Sequence, residues 1–303
     1  MSRRTRKYTG PERRKKQRWR PKPLRVFLSL IALVAIGYAI AVLSLIGEES
    51  SLVLEAGRTL GSNRPPFPYE QIDLPRADGL RQFAWIMRRG KAANAPWALF
   101  LHGNASTIAS NVSIAHYRVL RDLGLNVLAP EYRGFGGLNG TPTEESLEGD
   151  VRVAYEYLRA TRKVSPARIV IYGWSLGSAL AIDLASSTEH AALILEAAPA
   201  SQTRNYQHRY PLFPVRLVIR NQFDSLGKIE RVRSPILFLH SPEDAVVPIA
   251  EGRRLFDAAT GDKAFVEIRG GHLNASDEDA EHVHTVLRTF LQQHGLVAAS
   301  VNP

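Results

Sequence analysis

Residues 169 to 182 constrain the fold more than any other stretch of the chain. Ile169-Val170-Ile171-Tyr172 is a short β-branched and aromatic run. It leads into a turn, Gly173-Trp174-Ser175-Leu176-Gly177, and Ser178-Ala179-Leu180-Ala181-Ile182 then starts a helix. An apolar strand that passes directly into an apolar helix belongs to a sheet covered by helices, because neither element can face water. From residue 69 onward the pattern repeats. Candidate buried strands lie at Ala98–Leu101, Asn126–Ala129, Arg168–Tyr172, Leu193–Glu196, Ile236–Leu239 and Phe265–Ile268. Helical patterns fall between them, near 107–122, 143–162, 176–188, 249–259 and 277–293. Tyr69–Leu74 and Leu80–Met87, around Ala77-Asp78-Gly79, predict a hairpin. The fold class is therefore α/β, with a mostly parallel central sheet and helices on both faces. Residues 201–234 break the alternation and carry Tyr206, Tyr210, Phe213, Arg216 and Arg220, which predicts a small cap between two strands.

The same turn carries the chemistry. With glycine at 173 and 177, the backbone bends tightly enough to lift the Ser175 hydroxyl clear of the sheet, at a helix N-terminus whose unpaired N–H groups favour developing negative charge. A serine hydroxyl is a poor nucleophile at neutral pH and needs a base, which in turn needs an acid to orient it. Ligands in such sheets bind beyond the carboxyl ends of the strands. Two residues downstream of Ser175 sit there. Asp244 follows the strand Ile236–Leu239, in His240-Ser241-Pro242-Glu243-Asp244, and His272 follows Phe265–Ile268, in Gly270-Gly271-His272. Their order, Ser then Asp then His, is that of a strand-turn-helix nucleophile. Glu196, at the end of the preceding strand, is the alternative acid. A tetrahedral intermediate needs two preorganised N–H donors. The expected pair is the backbone amide of Leu176 and that of Asn104, in the loop His102-Gly103-Asn104-Ala105, where His102 braces the loop.

Residues 26–46, VFLSLIALVAIGYAIAVLSLI, form an uncharged and mostly apolar run. As a helix rising about 1.5 Å per residue it spans a hydrocarbon core of about 30 Å, and it reads as a transmembrane signal anchor. Residues 1–25 hold 12 Lys and Arg against one acid, Glu12, whereas Glu48 and Glu49 follow the span. The positive-inside rule then leaves the basic tail 1–25 in the cytoplasm and the domain outside, in the periplasm of a bacterial inner membrane. A signal peptide cleaved near Ala39-Ile40-Ala41 is the competing reading, and the apolar run continuing past Ala41 argues against it. Residues 47–68, with Pro65-Pro66 and Pro68, read as a connector. The catalytic domain is expected at 69–295 and a short tail at 296–303.

The net charge of +10 invites a nucleic-acid reading, but the basic leader accounts for it, since residues 26–303 hold 27 basic and 28 acidic residues. No nucleic-acid partner is expected of the folded part, although a polybasic tail can bind RNA or acidic lipid. With no cysteine in the chain, disulfides, cysteine-based metal sites and thiol catalysis are excluded. Asn-x-Ser triplets occur at Asn104, Asn111 and Asn274. Two of them flank the expected site, where a glycan would obstruct it, so they are read as chance.

Several motifs in order carry a resemblance to the α/β-hydrolase superfamily, and within it to membrane-associated "α/β-hydrolase domain-containing" serine hydrolases, over roughly residues 70–293. They are Leu101-His102-Gly103-Asn104-Ala105, Glu131-Tyr132-Arg133-Gly134-Phe135-Gly136, Gly140-Thr141-Pro142, the Ser175 turn, the Asp244 loop and Gly271-His272. The chain departs from the family pattern at Glu131, where Asp is usual, at Ser241 for a common Gly, and at Leu273-Asn274 for Asn-Asp. The resemblance implies the α/β-hydrolase fold and hydrolysis of carboxylic ester or thioester substrates, often lipids, without metal or organic cofactor. A serine peptidase acting on small peptides and a catalytically silent binding module of the same fold stay open as alternatives.

Overall fold

The computed structural model describes residues 22–47, 54–55, 57, 59–76, 78–89, 95–211 and 213–298. The basic tail up to residue 21, Glu48 and Glu49, Ala77 of the hairpin turn and residues 299–303 lie outside them. The chain divides into two units, Met1–Ser44 and Leu45–Pro303. Helix α1, Pro23–Gly47, dominates the first, and its segment Pro23–Ser44 is long and apolar enough to cross a membrane, with mean hydropathy 2.7 and none of it buried.

The second unit is built on an eight-stranded sheet. In chain order its strands are β1 (Glu70–Asp73), β2 (Phe83–Met87), β3 (Trp97–Leu101), β4 (Asn126–Pro130), β5 (Ile169–Trp174), β6 (Ala192–Glu196), β7 (Ile236–His240) and β8 (Lys263–Glu267). They lie side by side as β1-β2-β4-β3-β5-β6-β7-β8. The β1–β2 and β2–β4 pairs are antiparallel and all the others parallel. The longer helices are α2 (Asn111–Asp122), α3 (Glu144–Glu156), α4 (Leu176–Ala185), α8 (Ile249–Ala258) and α10 (Ala280–Gln293). Shorter ones are α5 (Gln202–Arg209), α6 (Val215–Val218), α7 (Leu226–Ile229) and α9 (Ala275–Glu278).

Strand alternation sorts the core into two layers. Leu99, Ile171, Leu195 and Phe238 face one way and pack with Leu147 and Val151 of α3, Leu180 of α4 and Leu255 of α8. Ala98, Phe100, Val170, Tyr172, Ile194 and Leu237 face the other way, onto Tyr117 and Leu120 of α2 and Leu287 and Phe290 of α10. Strands covered on both sides favour apolar residues at nearly every position, which is why β2 to β7 read as apolar runs broken only at strand ends by Asn126, Glu196 and His240 and are buried throughout. Helix α4 is buried nearly all round because it lies against both β5 and its neighbouring helices.

The departures from the sequence expectations have local causes. The pattern 107–122 starts as helix only at Asn111, because Ser110 caps it by accepting from the Ser113 amide. Glu144–Glu156 is α-helical from a Thr143–Ser146 capping box, and a π turn over Tyr157–Thr161 completes the expected 143–162. The pattern 277–293 divides at Asp279 into α9 and α10. The hairpin strands are shorter than their hydrophobic patterns, and β8 is shifted to start at Lys263. Between β6 and β7 the segment 201–234 supplies the three short helices α5, α6 and α7. It is tied down where Lys228 meets Asp183 (2.8 Å) and Glu148, and where Glu144 and Asn221 exchange hydrogen bonds with the cap and α3 backbones.

Candidate active site

The sharp turn between β5 and α4 depends on its two glycines. A Cβ on Gly173 would lie 2.4 Å from the Gly177 carbonyl oxygen, and one on Gly177 would lie 2.0 Å from that of Leu101. Ser175, between them, adopts φ +55° and ψ −120°, a backbone conformation that non-glycine residues rarely hold. Neighbouring hydrogen bonds over-determine it. The Ser175 amide donates to the Glu196 carbonyl (2.9 Å), and Ser178 Oγ bridges the carbonyls of Gly173 (2.7 Å) and Glu196 (3.0 Å).

The loops after β7 and β8 bring the other two expected residues to this serine. His272 Nε2 is 3.0 Å from Ser175 Oγ, and His272 Nδ1 is 2.7 Å from Asp244 Oδ2. The second oxygen of Asp244 accepts from the amides of Val246 and Val247, both at 2.8 Å. Burial works to raise the Asp244 carboxyl, but the His272 hydrogen bond and charge, with the two amides, outweigh it and hold it below the ordinary range. An ionised Asp244 beside Nδ1 selects the tautomer with the proton on Nδ1, which leaves Nε2 free to accept from the serine hydroxyl. Ser241, where glycine is common, earns its place by accepting from the Glu243 amide and shaping the acid loop. Its neighbour His240 is buried, which lowers its pKa, and its Nε2 meets the Val247 carbonyl at 2.9 Å.

The loop after β3 approaches the serine closely. A Cβ on Gly103 would fall 2.8 Å from the Trp174 ring and 3.2 Å from Ser175 Cβ, so only glycine fits there. Asn104 is fixed by its side chain, whose oxygen accepts from the Glu55 amide at 2.9 Å. Leu176 is the first residue of α4, where amides have no partner within the helix. His102 is a brace: Nδ1 meets the Gly103 carbonyl (2.9 Å), Nε2 meets Glu131 Oε1 (2.8 Å), and the ring stacks on Tyr132. Glu131 also accepts from the amides of Ile108 and Tyr132, so its longer side chain ties the His102 loop to its own turn.

Glu196, the alternative acid, does not reach His272. Its carboxylate is buried and accepts from His116, Tyr172 and Ser276. His116 is a polar residue in the buried row Ile114, His116, Tyr117 and Leu120 of α2, and that helical spacing is the one sequence signal that marked it. Among the described residues, no three His, Asp or Glu side chains are grouped to hold a metal ion.

A doubly covered, mostly parallel sheet, a strained serine between a strand and a helix, and a hydrogen-bonded His and Asp on later loops define an α/β-hydrolase. Residues 98–220 match the sequence profile of the alpha/beta hydrolase family. The "Uncharacterized protein MT2364" of Mycobacterium tuberculosis is 34% identical over 245 residues, covering 80% of this chain and 82% of the relative. The "Lysophosphatidylserine lipase ABHD12" of Danio rerio is 29% identical over 211 residues, 60% of this chain and 55% of its own. Among solved structures, the Pyrococcus furiosus esterase Pf2001 superposes with a TM-score of 0.68 at 17% identity, over 79% of this chain and 97% of the esterase. The chain belongs to the alpha/beta hydrolase family.

Proposed function

We propose that the protein is a membrane-anchored serine hydrolase that cleaves carboxylic ester or thioester bonds, acyl lipids included, with residues 26–46 as the anchor and 69–295 as the catalytic domain. The observation that carries this reading is the continuous hydrogen-bonded chain from Ser175 Oγ through His272 to Asp244. Ser175 Oγ attacks the acyl carbonyl and its proton passes to His272 Nε2, with the imidazolium stabilised by Asp244. The carbonyl electrons move onto oxygen, which the amides of Asn104 and Leu176 receive. Collapse expels the alkoxide or thiolate, which takes the proton from His272. Water, deprotonated by His272, then attacks the acyl carbon and releases a carboxylic acid and free Ser175.

Apolar side chains around the site support an acyl substrate. Leu273 and Val246, each next in sequence or nearly so to His272 and Asp244, are exposed, at 63% and 48%. A relative named a lysophosphatidylserine lipase points towards the same chemistry. The test is labelling of the full chain in detergent by a fluorophosphonate probe. Wild type should label, Ser175→Ala should not, and His272→Ala should label at least about a hundredfold more slowly. A folded wild-type protein that fails to label, as a silent binding module would, overturns the reading.

A further inference from the structure

Behind the candidate site lies a buried polar cluster that the reaction above does not use. Glu196 ends β6, and its carboxylate receives three donors from three other elements. These are His116 Nε2 of α2 at 2.8 Å, Tyr172 Oη of β5, and Ser276 Oγ of α9 at 2.6 Å. His116 Nδ1 faces the Val112 carbonyl at 2.7 Å. A carbonyl only accepts, so Nδ1 carries a proton, and Nε2 faces a carboxylate that is already a pure acceptor for two hydroxyls. Ser276 Oγ also lies 3.2 Å from Nε2, so imidazole, carboxylate and hydroxyl form one closed polar cluster, with the short Nε2 contact suited to an imidazolium–carboxylate pair. All four side chains are at least nine-tenths buried. Burial works against both charges, yet the pairing prevails, holding Glu196 at about 2 and His116 above its ordinary value.

Glu196 is placed to couple the nucleophile to the base. Its backbone carbonyl accepts from the amide of Ser175 and from Ser178 Oγ, so it holds the strained turn. Its carboxylate holds Ser276, four residues beyond His272 in the loop that delivers the imidazole. That loop folds back tightly, with the Ala275 amide donating to the Gly271 carbonyl (3.1 Å) and Arg269 and Asp279 closing its base (2.8 Å). The crevice between these parts is lined by His116, Glu196, His272, Leu273 and Ser276. Ser276 is thus joined to the His272 backbone through one tight hydrogen-bonded turn.

We propose that Glu196, held in place by His116, is a positioning residue that locks the His272 loop against the Ser175 turn through Ser276. The proposal rests on the serine-hydrolase reading, and the experiment separates the two. Ser276→Ala removes one oxygen and no carbon from the network. Tyr172→Phe removes another donor to the same carboxylate but leaves the His272 loop tethered, and serves as the stability control. Hydrolysis of p-nitrophenyl butyrate, fluorophosphonate labelling rates and thermal midpoints are measured for the full chain in detergent. Ser276→Ala should lower kcat and the labelling rate about tenfold, as misplaced general bases do, with KM within about twofold of wild type. Its thermal midpoint should fall no further than that of Tyr172→Phe, which should lose less kcat. A wild type that neither labels nor hydrolyses sinks the hydrolase reading and the positioning role with it. An active wild type matched by Ser276→Ala, a change confined to KM, or equal kcat losses in both variants overturns the positioning role alone.

Discussion

Among single residues, the glycines around Ser175 show how little freedom the site allows. Gly177 passes so close to the Leu101 carbonyl that an added methyl group meets backbone rather than a side chain that can rotate away. Gly177→Ala should therefore cost about 2 kcal/mol or more of stability, read as a lower urea midpoint at unchanged slope, and should abolish fluorophosphonate labelling with it. This much was legible in the sequence, because a tight strand-to-helix turn permits few residue types. The role of Glu196 was not. It ends an apolar strand just as an acid near a strand's carboxyl end should, but alternation points it into the layer holding Tyr172 and α2. Asp244 lies beyond its strand, in a loop, and is free to turn towards His272.

At the level of elements, the His116–Glu196 pair joins α2 to β6, and its opposed pKa shifts predict a pH dependence of stability. Glu196 is held near 2 against an ordinary 4.5, so its contribution is complete above about pH 4.5 and is lost as pH falls through about 2. His116 is raised above 6.5, so its contribution is complete below about pH 6.5 and is lost as pH rises through its raised folded value. The pair stabilises most in the window between these limits. Urea unfolding from pH 5 to pH 9 should show wild type losing stability above pH 6.5 by up to about 1.4 kcal/mol per pH unit relative to a His116→Gln, Glu196→Gln double variant. A parallel pair of curves would show that the imidazole is neutral in the folded protein. The strands were legible because both faces of the sheet are covered. The helix starts at Asn111 and Ala280 were not, since they depend on which serine or turn satisfies the first amides, and the apolar pattern runs on through both.

For the whole molecule, the proposed anchor at 26–46 and the basic leader predict which side of a membrane the folded domain would occupy. Protease added to intact spheroplasts should digest the domain beyond residue 47 and spare the leader, whereas protection of the domain would reverse the orientation. The fold class and its mostly parallel sheet were readable from the alternation of patterns. The closing of distant loops onto one serine was readable only as an order along the chain. That closure has a practical side. Ser175, Asp244 and His272 follow β5, β7 and β8, and the glycine loop follows β3, so the site exists only while most of the sheet is intact. The stretch 98–220 that bears the family profile contains Ser175 and the glycine loop but neither Asp244 nor His272. On the proposed mechanism, reactivity at the Ser175 hydroxyl would report on the cooperative unit as a whole, and a fragment or a locally opened form that keeps the signature turn should be chemically mute.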